Sequence, residues 1–230
     1  MYAEAAPPAD LAGHLRCSWT RVTGGSGTVL PDGCLDLMWV GGALMVAGPD
    51  SVVARSEVRP GVEIAAVRFR PGAAPAVLGL PASDLRDRRV PLAELWADGA
   101  LLERQVSDAS DRVAELTDAV RRRLADAPAP DPVALAVAGQ LGRRSAGVAG
   151  LAAWTGLSER QLHRRCLTAF GYGAKTLDRV LRLQRFLALG RSDPDAGLAR
   201  LAVEAGYADQ PHLTRDCHTL AGTTPARLLR

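Results

Sequence analysis

The N-terminal part of the chain alternates short apolar runs with turn-forming residues. Glycine, proline and aspartate interrupt the runs, as in Pro31-Asp32-Gly33. Short runs bounded by such residues are typical of β-strands. The predicted strands cover residues 16–22, 34–40, 44–47, 51–55 and 62–69. We expect a small antiparallel sheet or barrel, preceded by a disordered segment, residues 1–13, that is rich in Ala and Pro and shows no periodicity.

The pattern becomes helical after Pro71. Apolar residues recur at helical spacing over residues 73–78, 92–96 and 101–124, which predicts helices there. The last of these carries a stripe of Leu102, Val106, Val113, Leu116, Val120 and Leu124. The prolines at 128, 130 and 132 then stop any helix, so we predict a linker over residues 126–131.

A short pattern occurs twice in the last part of the chain. The copies are Ala152-x3-Gly156, Ser158, Leu162-x-Arg164-x-Cys166 and Ala202-x3-Gly206, Asp209, Leu213-x-Arg215-x-Cys217. Each glycine permits the left-handed backbone of a tight turn after one helix. Ser158 and Asp209 can cap the helix that follows. Two helices joined by such a turn predict a helix-turn-helix motif, whose second helix enters the DNA major groove.

Further helices complete an all-α C-terminal domain over residues 132–230. They are predicted over residues 132–142, 148–154, 158–169, 174–189, 197–205, 210–220 and 224–229. The helix over 174–189 joins the two copies and is expected to set the distance between them. The fold class is therefore α+β, with a sensory or oligomerisation domain over residues 14–125, and we expect few contacts to cross the linker.

Charge is distributed unevenly along the chain. Residues 131–230 contain 14 Lys and Arg against 8 Asp and Glu, a net charge of +6, whereas residues 1–130 contain 14 against 17, a net charge of −3. A basic C-terminal part is consistent with DNA binding, although a moderately charged surface has the same balance.

Other patterns exclude several classes of protein. No apolar run is long enough for a transmembrane helix, and the N-terminus lacks the regions of a secretory signal. The cysteines at 17, 34, 166 and 217 form no CxxC pair, which argues against a zinc finger and a disulfide framework. No nucleophile elbow, P-loop, HExxH or dinucleotide fingerprint occurs. We therefore predict a cytoplasmic protein that is not an enzyme and has no cofactor or metal.

The C-terminal domain resembles the DNA-binding domain of AraC/XylS-type transcriptional regulators. The resemblance rests on GLAAWTGLSERQLHRRCLTAFGYGAKTL, RVLRLQRFLAL and LARLAVEAGYADQPHLTRDCHTLAGTTPARLLR. It implies two recognition helices that enter successive major-groove segments on one face of the duplex. The N-terminal half is similar to a domain attached to such regulators, many from actinobacteria, through PDGCLDLMWV, VAGPDS and VRFRPGAAPAVLGLPASDLRD.

The chain departs from the family in both recognition helices. Cys166 and Cys217 stand where the family usually has Phe, and both are apolar enough for a core. Pro211 lies in the first turn of the second recognition helix, where proline is tolerated but cannot read a base. Asp216 is expected to add a negative charge near the DNA. We therefore expect the second motif to bind DNA less strongly than the first.

The resemblance and the helical spacing together predict the DNA contacts. Leu157, Leu162 and Cys166 are expected to point inward, so that the opposite side faces the DNA. The family's base-reading positions fall on Arg160, His163 and Arg164, and the outward set of the second motif is Gln210, His212, Thr214 and Arg215. The predicted phosphate contacts are Arg165, Lys175, Arg179 and Arg182. For all of these, a solvated helix surface is the alternative.

The N-terminal half offers weaker signals. Asp32, Cys34 and Asp36 share one side of a regular strand, and Cys17 is a candidate neighbour. A metal site or a thiol sensor is conceivable, but a buried structural cysteine is the simpler interpretation. Trp19 and Trp39 fit a core better than a ligand cage.

These features predict a sequence-specific transcription regulator whose partner is a double-stranded DNA operator. A small-molecule effector and a homodimer are left open, and no membrane partner is expected. Two alternatives remain: a DNA-repair alkyl acceptor that uses Cys34 or Cys17, and an architectural binder that is indifferent to DNA sequence.

Overall fold

Within residues 2–144, antiparallel strands form a sheet that carries helices on one face. The computed structural model describes residues 2–144 and 146–230. In the described part, six strands are ordered β1-β2-β7-β4-β5-β8, and β3 pairs with β6 in a separate ribbon. The strands are β1 (Tyr2–Ala5), β2 (Leu15–Val22), β3 (Gly27–Val29), β4 (Asp36–Val40), β5 (Ala43–Ala47), β6 (Ala54–Ser56), β7 (Glu63–Phe69) and β8 (Arg89–Pro91).

The two faces of this sheet differ because side chains alternate along each strand. Leu37, Val46 and Val67 are fully buried on one face, in a core shared with α1 (Ala74–Leu78), α2 (Gly99–Asp108) and α3 (Arg112–Asp126). On the other face, Met38 lies opposite Met45 and Ala66 in the strand register. This second face is free of those helices and lines a cavity.

The N-terminal segment is ordered, so the prediction of disorder over residues 1–13 was wrong. Tyr2–Ala5 pair with residues 18–21 of β2, and residues 9–11 form a 3-10 helix; Met1 lies outside the described residues. The pairing is non-local, and the segment's own composition contains no sign of it. The strand predicted over residues 51–55 is displaced to β6, and β3 and β8 were not predicted.

The single helix predicted over residues 101–124 is two helices, α2 and α3. Ala109 has an extended ψ of 138°, and Asp111 caps α3 by accepting a hydrogen bond from the N–H of Ala114 at 3.0 Å. Val106 and Val113 stand seven positions apart, which preserves the apolar stripe across the break. Because the apolar spacing continues across the break, the sequence pattern predicted one helix where the structure has two.

The C-terminal part is helical, as predicted. Its helices are α4 (Pro132–Arg143), α5 (Val148–Thr155), α6 (Glu159–Phe170), α7 (Ala174–Ser192), α8 (Leu198–Ala205), α9 (Gln210–Ala221) and α10 (Pro225–Leu228). Cys166 and Cys217 lie in its core with Phe170 and Phe186, which confirms the prediction that both cysteines occupy core positions. Among the described residues, no helix has the length and apolar character that a membrane span requires.

The two parts of the chain pack closely against each other. The segment between Asp126 and Pro132 is irregular, in agreement with the predicted linker. The expectation of few contacts across it was wrong, however. The Gln184 amide donates to the carbonyl of Pro31 at 2.8 Å, and the Val53 N–H donates to the carbonyl of Leu220 at 2.7 Å. The division into domains at the linker stays a prediction.

Candidate nucleic-acid interface

Two helix-turn-helix units are built around left-handed glycines. Gly156 has φ of 69° and ends α5, and Gly206 has φ of 93° and ends α8. Beyond them, the Leu157 N–H reaches back to the Ala152 carbonyl at 3.0 Å and the Tyr207 N–H to that of Ala202 at 2.9 Å. These bonds satisfy the last carbonyls of each helix, as the repeat predicted.

Both recognition helices, α6 and α9, begin at the predicted caps. Ser158 accepts a hydrogen bond from the Gln161 N–H at 3.2 Å, while the Gln161 side chain accepts one from the Ser158 N–H at 2.9 Å. Asp209 accepts from the His212 N–H at 2.7 Å. The caps hold the first turn of each helix, where base-reading side chains of such motifs stand.

The outward side of α6 is basic and open. Arg160 and Arg164 are exposed and enter no ion pair with another described residue. His163 is also exposed, and its ring lies against Gly173, where a Cβ atom would stand 2.7 Å from Nδ1. Arg165 instead pairs with Asp131, the cap of α4, at 2.8 Å. A phosphate contact from Arg165 would therefore compete with an existing pair.

The outward set of α9 is only partly open. Gln210 and Arg215 are exposed. His212 is half-buried and meets the Tyr207 ring edge-on, with 5.2 Å between centroids. The Thr214 hydroxyl donates to the Gln210 carbonyl at 3.0 Å. Two of the four predicted base readers of α9 are thus engaged within their own helix-turn-helix unit.

The arginines of α7 mostly serve the fold. Arg182 is 9% exposed and lies between Asp178 at 3.2 Å and Asp216 at 3.8 Å. This burial and pairing of the guanidinium group disfavour the predicted phosphate contact of Arg182. Arg179 is bound to Asp216 at 2.9 Å, whereas Lys175 is exposed. Asp216 is 5% exposed and paired with Arg179, so its charge is buried and is not presented on the surface of α9, contrary to expectation.

Sequence reasoning missed a role for α7 in holding the second motif. Arg185 donates to the Ala205 carbonyl at 3.1 Å, and Arg182 donates to that of Gly206 at 3.4 Å. Cations at the end of α8 are favourable because its last carbonyls carry partial negative charge. The spacing of Arg179, Arg182 and Arg185, which places them on one helix face, was the signal available in the sequence.

The acidic residues near Cys34 form an ion-pair network. Arg68 pairs with Asp36 at 2.8 Å and with Asp32 at 3.2 Å. Burial raises the pKa of the Cys34 thiol well above its usual range, and burial also raises the pKa of Cys17 to about 11. Neither thiol is a thiolate at neutral pH, which disfavours an alkyl-accepting role. Within the described residues, no group of three or more His, Cys, Asp or Glu could hold a metal ion.

A cavity of about 540 Å³ lies between the second face of the sheet and α7. Its wall is apolar at Trp19, Met38, Val40, Met45 and Leu187. Its charged lining includes two ion pairs, Arg68 with Asp36 and Arg89 with Asp50. It also includes Glu57 and three arginines that enter no ion pair among the described residues: Arg21, Arg55 and Arg191. The volume is within the range of small-molecule sites.

The family comparisons match two separate parts of the chain. Residues 3–91 match a domain of unknown function (DUF6597), and residues 151–230 match a helix-turn-helix domain. No curated protein matches the chain.

Several solved structures of one protein share the fold. ToxT from Vibrio cholerae is 11% identical, with a TM-score of 0.51 over 92% of this chain and 97% of that one. ToxT of strain O395 is 8% identical, with a TM-score of 0.50 over 92% and 95%. The same protein bound to (E)-4-(8-methylnaphthalen-1-yl)but-3-enoic acid is 9% identical, with a TM-score of 0.50 over 99% and 98%. At these identities the likeness is one of fold. The chain thus joins an N-terminal domain of unknown function to a C-terminal helix-turn-helix domain of the AraC type, the kind that DNA-binding transcription regulators carry.

Proposed function

We propose that the protein is a sequence-specific transcription regulator that reads two successive major-groove segments, one with α6 and one with α9. The observation that carries the proposal is the open basic side of α6, where Arg160 and Arg164 stand exposed behind a capped first turn. Arginine can donate two hydrogen bonds to the edge of one guanine, and this contact discriminates guanine from the other bases.

The first motif supplies most of the sequence choice. α6 offers two unpaired arginines and His163, whereas α9 offers Gln210 and Arg215 beside the locally engaged His212 and Thr214. Affinity that does not depend on sequence comes from phosphate contacts. Lys175 is the exposed candidate for such a contact. Arg165 can contact a phosphate only by leaving Asp131, and Arg179 only by leaving Asp216.

The connecting helix suits a two-segment site. α7 has 19 residues, which corresponds to about 28 Å at the helical rise. With the turns at its ends, that length suits two recognition helices spaced near the ~34 Å repeat of one DNA turn. One protomer therefore suffices for two segments about 10 base pairs apart, and dimerisation is not required for reading.

The control signal is an amphipathic organic acid that binds in the cavity. Apolar walls suit a hydrocarbon or aryl body, and the unpaired Arg21, Arg55 and Arg191 outnumber Glu57, which favours an anionic end group. The acid-bound ToxT structure supports the same class of ligand, because that protein shares the fold and its ligand is an aryl butenoic acid.

The test of DNA reading compares Arg164→Ala with Arg104→Ala. Arg104 is an exposed residue of α2, so its variant loses the same charge far from α6. Operators recovered by selection from random duplexes are titrated with each variant. We expect Arg164→Ala to lose roughly 1–3 kcal/mol of preference for the operator over random duplex, at one base position, and Arg104→Ala to lose none.

An equal loss on operator and random duplex would make Arg164 a phosphate contact and defeat the assignment. A wild-type protein with no preference at all would favour the architectural alternative. Methylation interference on the full chain tests the geometry, since one interfered segment in place of two contradicts reading by both helices.

A further inference from the structure

Two loops of the N-terminal half rest on the C-terminal ends of both recognition helices. We call residues 48–53 and 82–89 the clasp. At the end of α6, a Cβ atom on Gly171 would stand 2.8 Å from Cγ of Pro49 and 3.0 Å from the carbonyl oxygen of Ala82. At the end of α9, the Val53 N–H donates to the Leu220 carbonyl at 2.7 Å. One short loop therefore touches both helices.

The clasp is held in one conformation by Asp87. This residue has φ of 58°, a left-handed backbone that is strained in a residue other than glycine. Its carboxylate accepts hydrogen bonds from the Ser51 N–H at 2.6 Å and the Ser51 hydroxyl at 2.8 Å. Its own N–H donates to the Pro49 carbonyl at 3.2 Å. Strain of this kind persists only where surrounding contacts outweigh it.

The clasp is also a wall of the cavity. Gly48, Asp50 and Arg89 line the cavity, and Arg89 donates to both Asp50 oxygens at 2.9 and 2.7 Å. Asp50 is buried, whereas the Arg89 side chain is 35% exposed. Asp50 lies between Pro49, which meets α6, and Val53, which meets α9. If the ion pair between Arg89 and Asp50 breaks, the neighbouring residues Pro49 and Val53, which contact the two recognition helices, can therefore shift with it.

We propose that the clasp fixes the spacing of α6 and α9 for DNA reading, and that an anion bound in the cavity releases it by drawing Arg89 away from Asp50. The inference rests on the proposed function. The clasp touches only the C-terminal ends of the two helices, while Arg160, Arg164 and Arg215 stay exposed, so the docked arrangement is competent to read DNA. Release leaves this spacing to α7 and the shared helical core, so α9 moves more relative to α6 and the effective concentration of the second motif at its segment falls.

The test of the clasp is Asp87→Gly, which removes the carboxylate but keeps the left-handed backbone available. The matched control is Asp84→Ala, an exposed carboxylate of the same loop. We expect Asp87→Gly to bind a duplex with both segments about tenfold more weakly. Its affinity for a duplex with only the α6 segment, and both affinities of Asp84→Ala, should stay within about twofold of wild type. Equal or tighter binding of the two-segment duplex by a folded Asp87→Gly protein overturns the clasp. If Asp87→Gly does not fold, Asp50→Asn decides by the same measurements.

The release step is tested with (E)-4-(8-methylnaphthalen-1-yl)but-3-enoic acid as the probe and its neutral amide as the control. Binding is followed by tryptophan fluorescence, since Trp19 lines the cavity. The acid should weaken two-segment binding of wild type about tenfold and leave Arg89→Gln unaffected. If the acid binds but does not weaken two-segment binding, or if it does not bind, the proposal that an anion in the cavity releases the clasp is refuted. Loss of operator preference in Arg164→Ala, with unchanged binding in Asp87→Gly, would refute the clasp alone and leave the regulator proposal intact.

Discussion

Replacing Asp216 with alanine separates a structural role for this carboxylate from a role at the DNA surface. Asp216 Oδ1 accepts a hydrogen bond from Arg179 Nε at 3.0 Å and forms an ion pair with Arg179 Nη2 at 2.9 Å, and Asp216 Oδ2 lies 3.8 Å from Arg182. Removing one partner of a buried ion pair costs roughly 3–5 kcal/mol. Here Arg182 keeps Asp178, and Arg179 is 28% exposed and can turn to water. We therefore expect Asp216→Ala to lower the free energy of unfolding by roughly 2–3 kcal/mol.

The assay is urea unfolding of the full chain, with Asp195→Ala as the control. Asp195 is an exposed carboxylate in the loop between α7 and α8, and its loss should change stability by less than about 0.5 kcal/mol. The preference of folded Asp216→Ala for the operator over random duplex should match that of wild type, because the carboxylate does not face the DNA and the freed Arg179 adds at most a phosphate contact that does not depend on sequence. Unchanged stability together with tighter DNA binding would refute this reasoning and restore Asp216 to the DNA surface.

Further predictions concern buried groups. Tyr172→Phe should raise the free energy of unfolding by about 1 kcal/mol in denaturant titration, because the buried Tyr172 hydroxyl has no hydrogen-bond partner in the described structure; a loss of stability would reveal a bond to it. Gly173→Ala should displace the His163 ring and change operator preference, at a cost of roughly 1 kcal/mol in stability because Gly173 is the N-cap of α7 and alanine is a poorer cap than glycine; unchanged preference would remove His163 from the base readers. Burial raises the pKa of Cys166 to about 11 and of Cys217 to about 12. Because folding raises these pKa values, the two protonated thiols contribute their full share of the free energy of unfolding below the ordinary thiol pKa of 9.0. That contribution is lost as the pH rises through 11 to 12. Alkaline unfolding should show that loss, and both thiols should resist a thiol reagent at pH 8; rapid labelling of the folded chain would contradict the burial.

Local sequence was enough to predict the helix-turn-helix units. The left-handed turns at Gly156 and Gly206, the caps at Ser158 and Asp209, and the helix bounds that follow depend on neighbours a few positions away. Such features are determined by backbone sterics and short-range hydrogen bonds, so the amino-acid pattern is sufficient evidence for them. The short apolar runs of β4 and β7, bounded by turn-forming residues, likewise predicted strands.

Only the tertiary structure decided which charged residues face inward. Arg182 and Asp216 look like surface residues in the sequence, yet both are buried and lie 3.8 Å apart across two helices, and Arg182 also pairs with Asp178 of its own helix. The edge strand β1 and the contact of Val53 with Leu220 also join distant parts of the chain. Periodicity describes one element at a time, whereas the burial of a charge depends on whether a partner from elsewhere compensates its desolvation. That compensation exists only once the helices and the sheet are packed together.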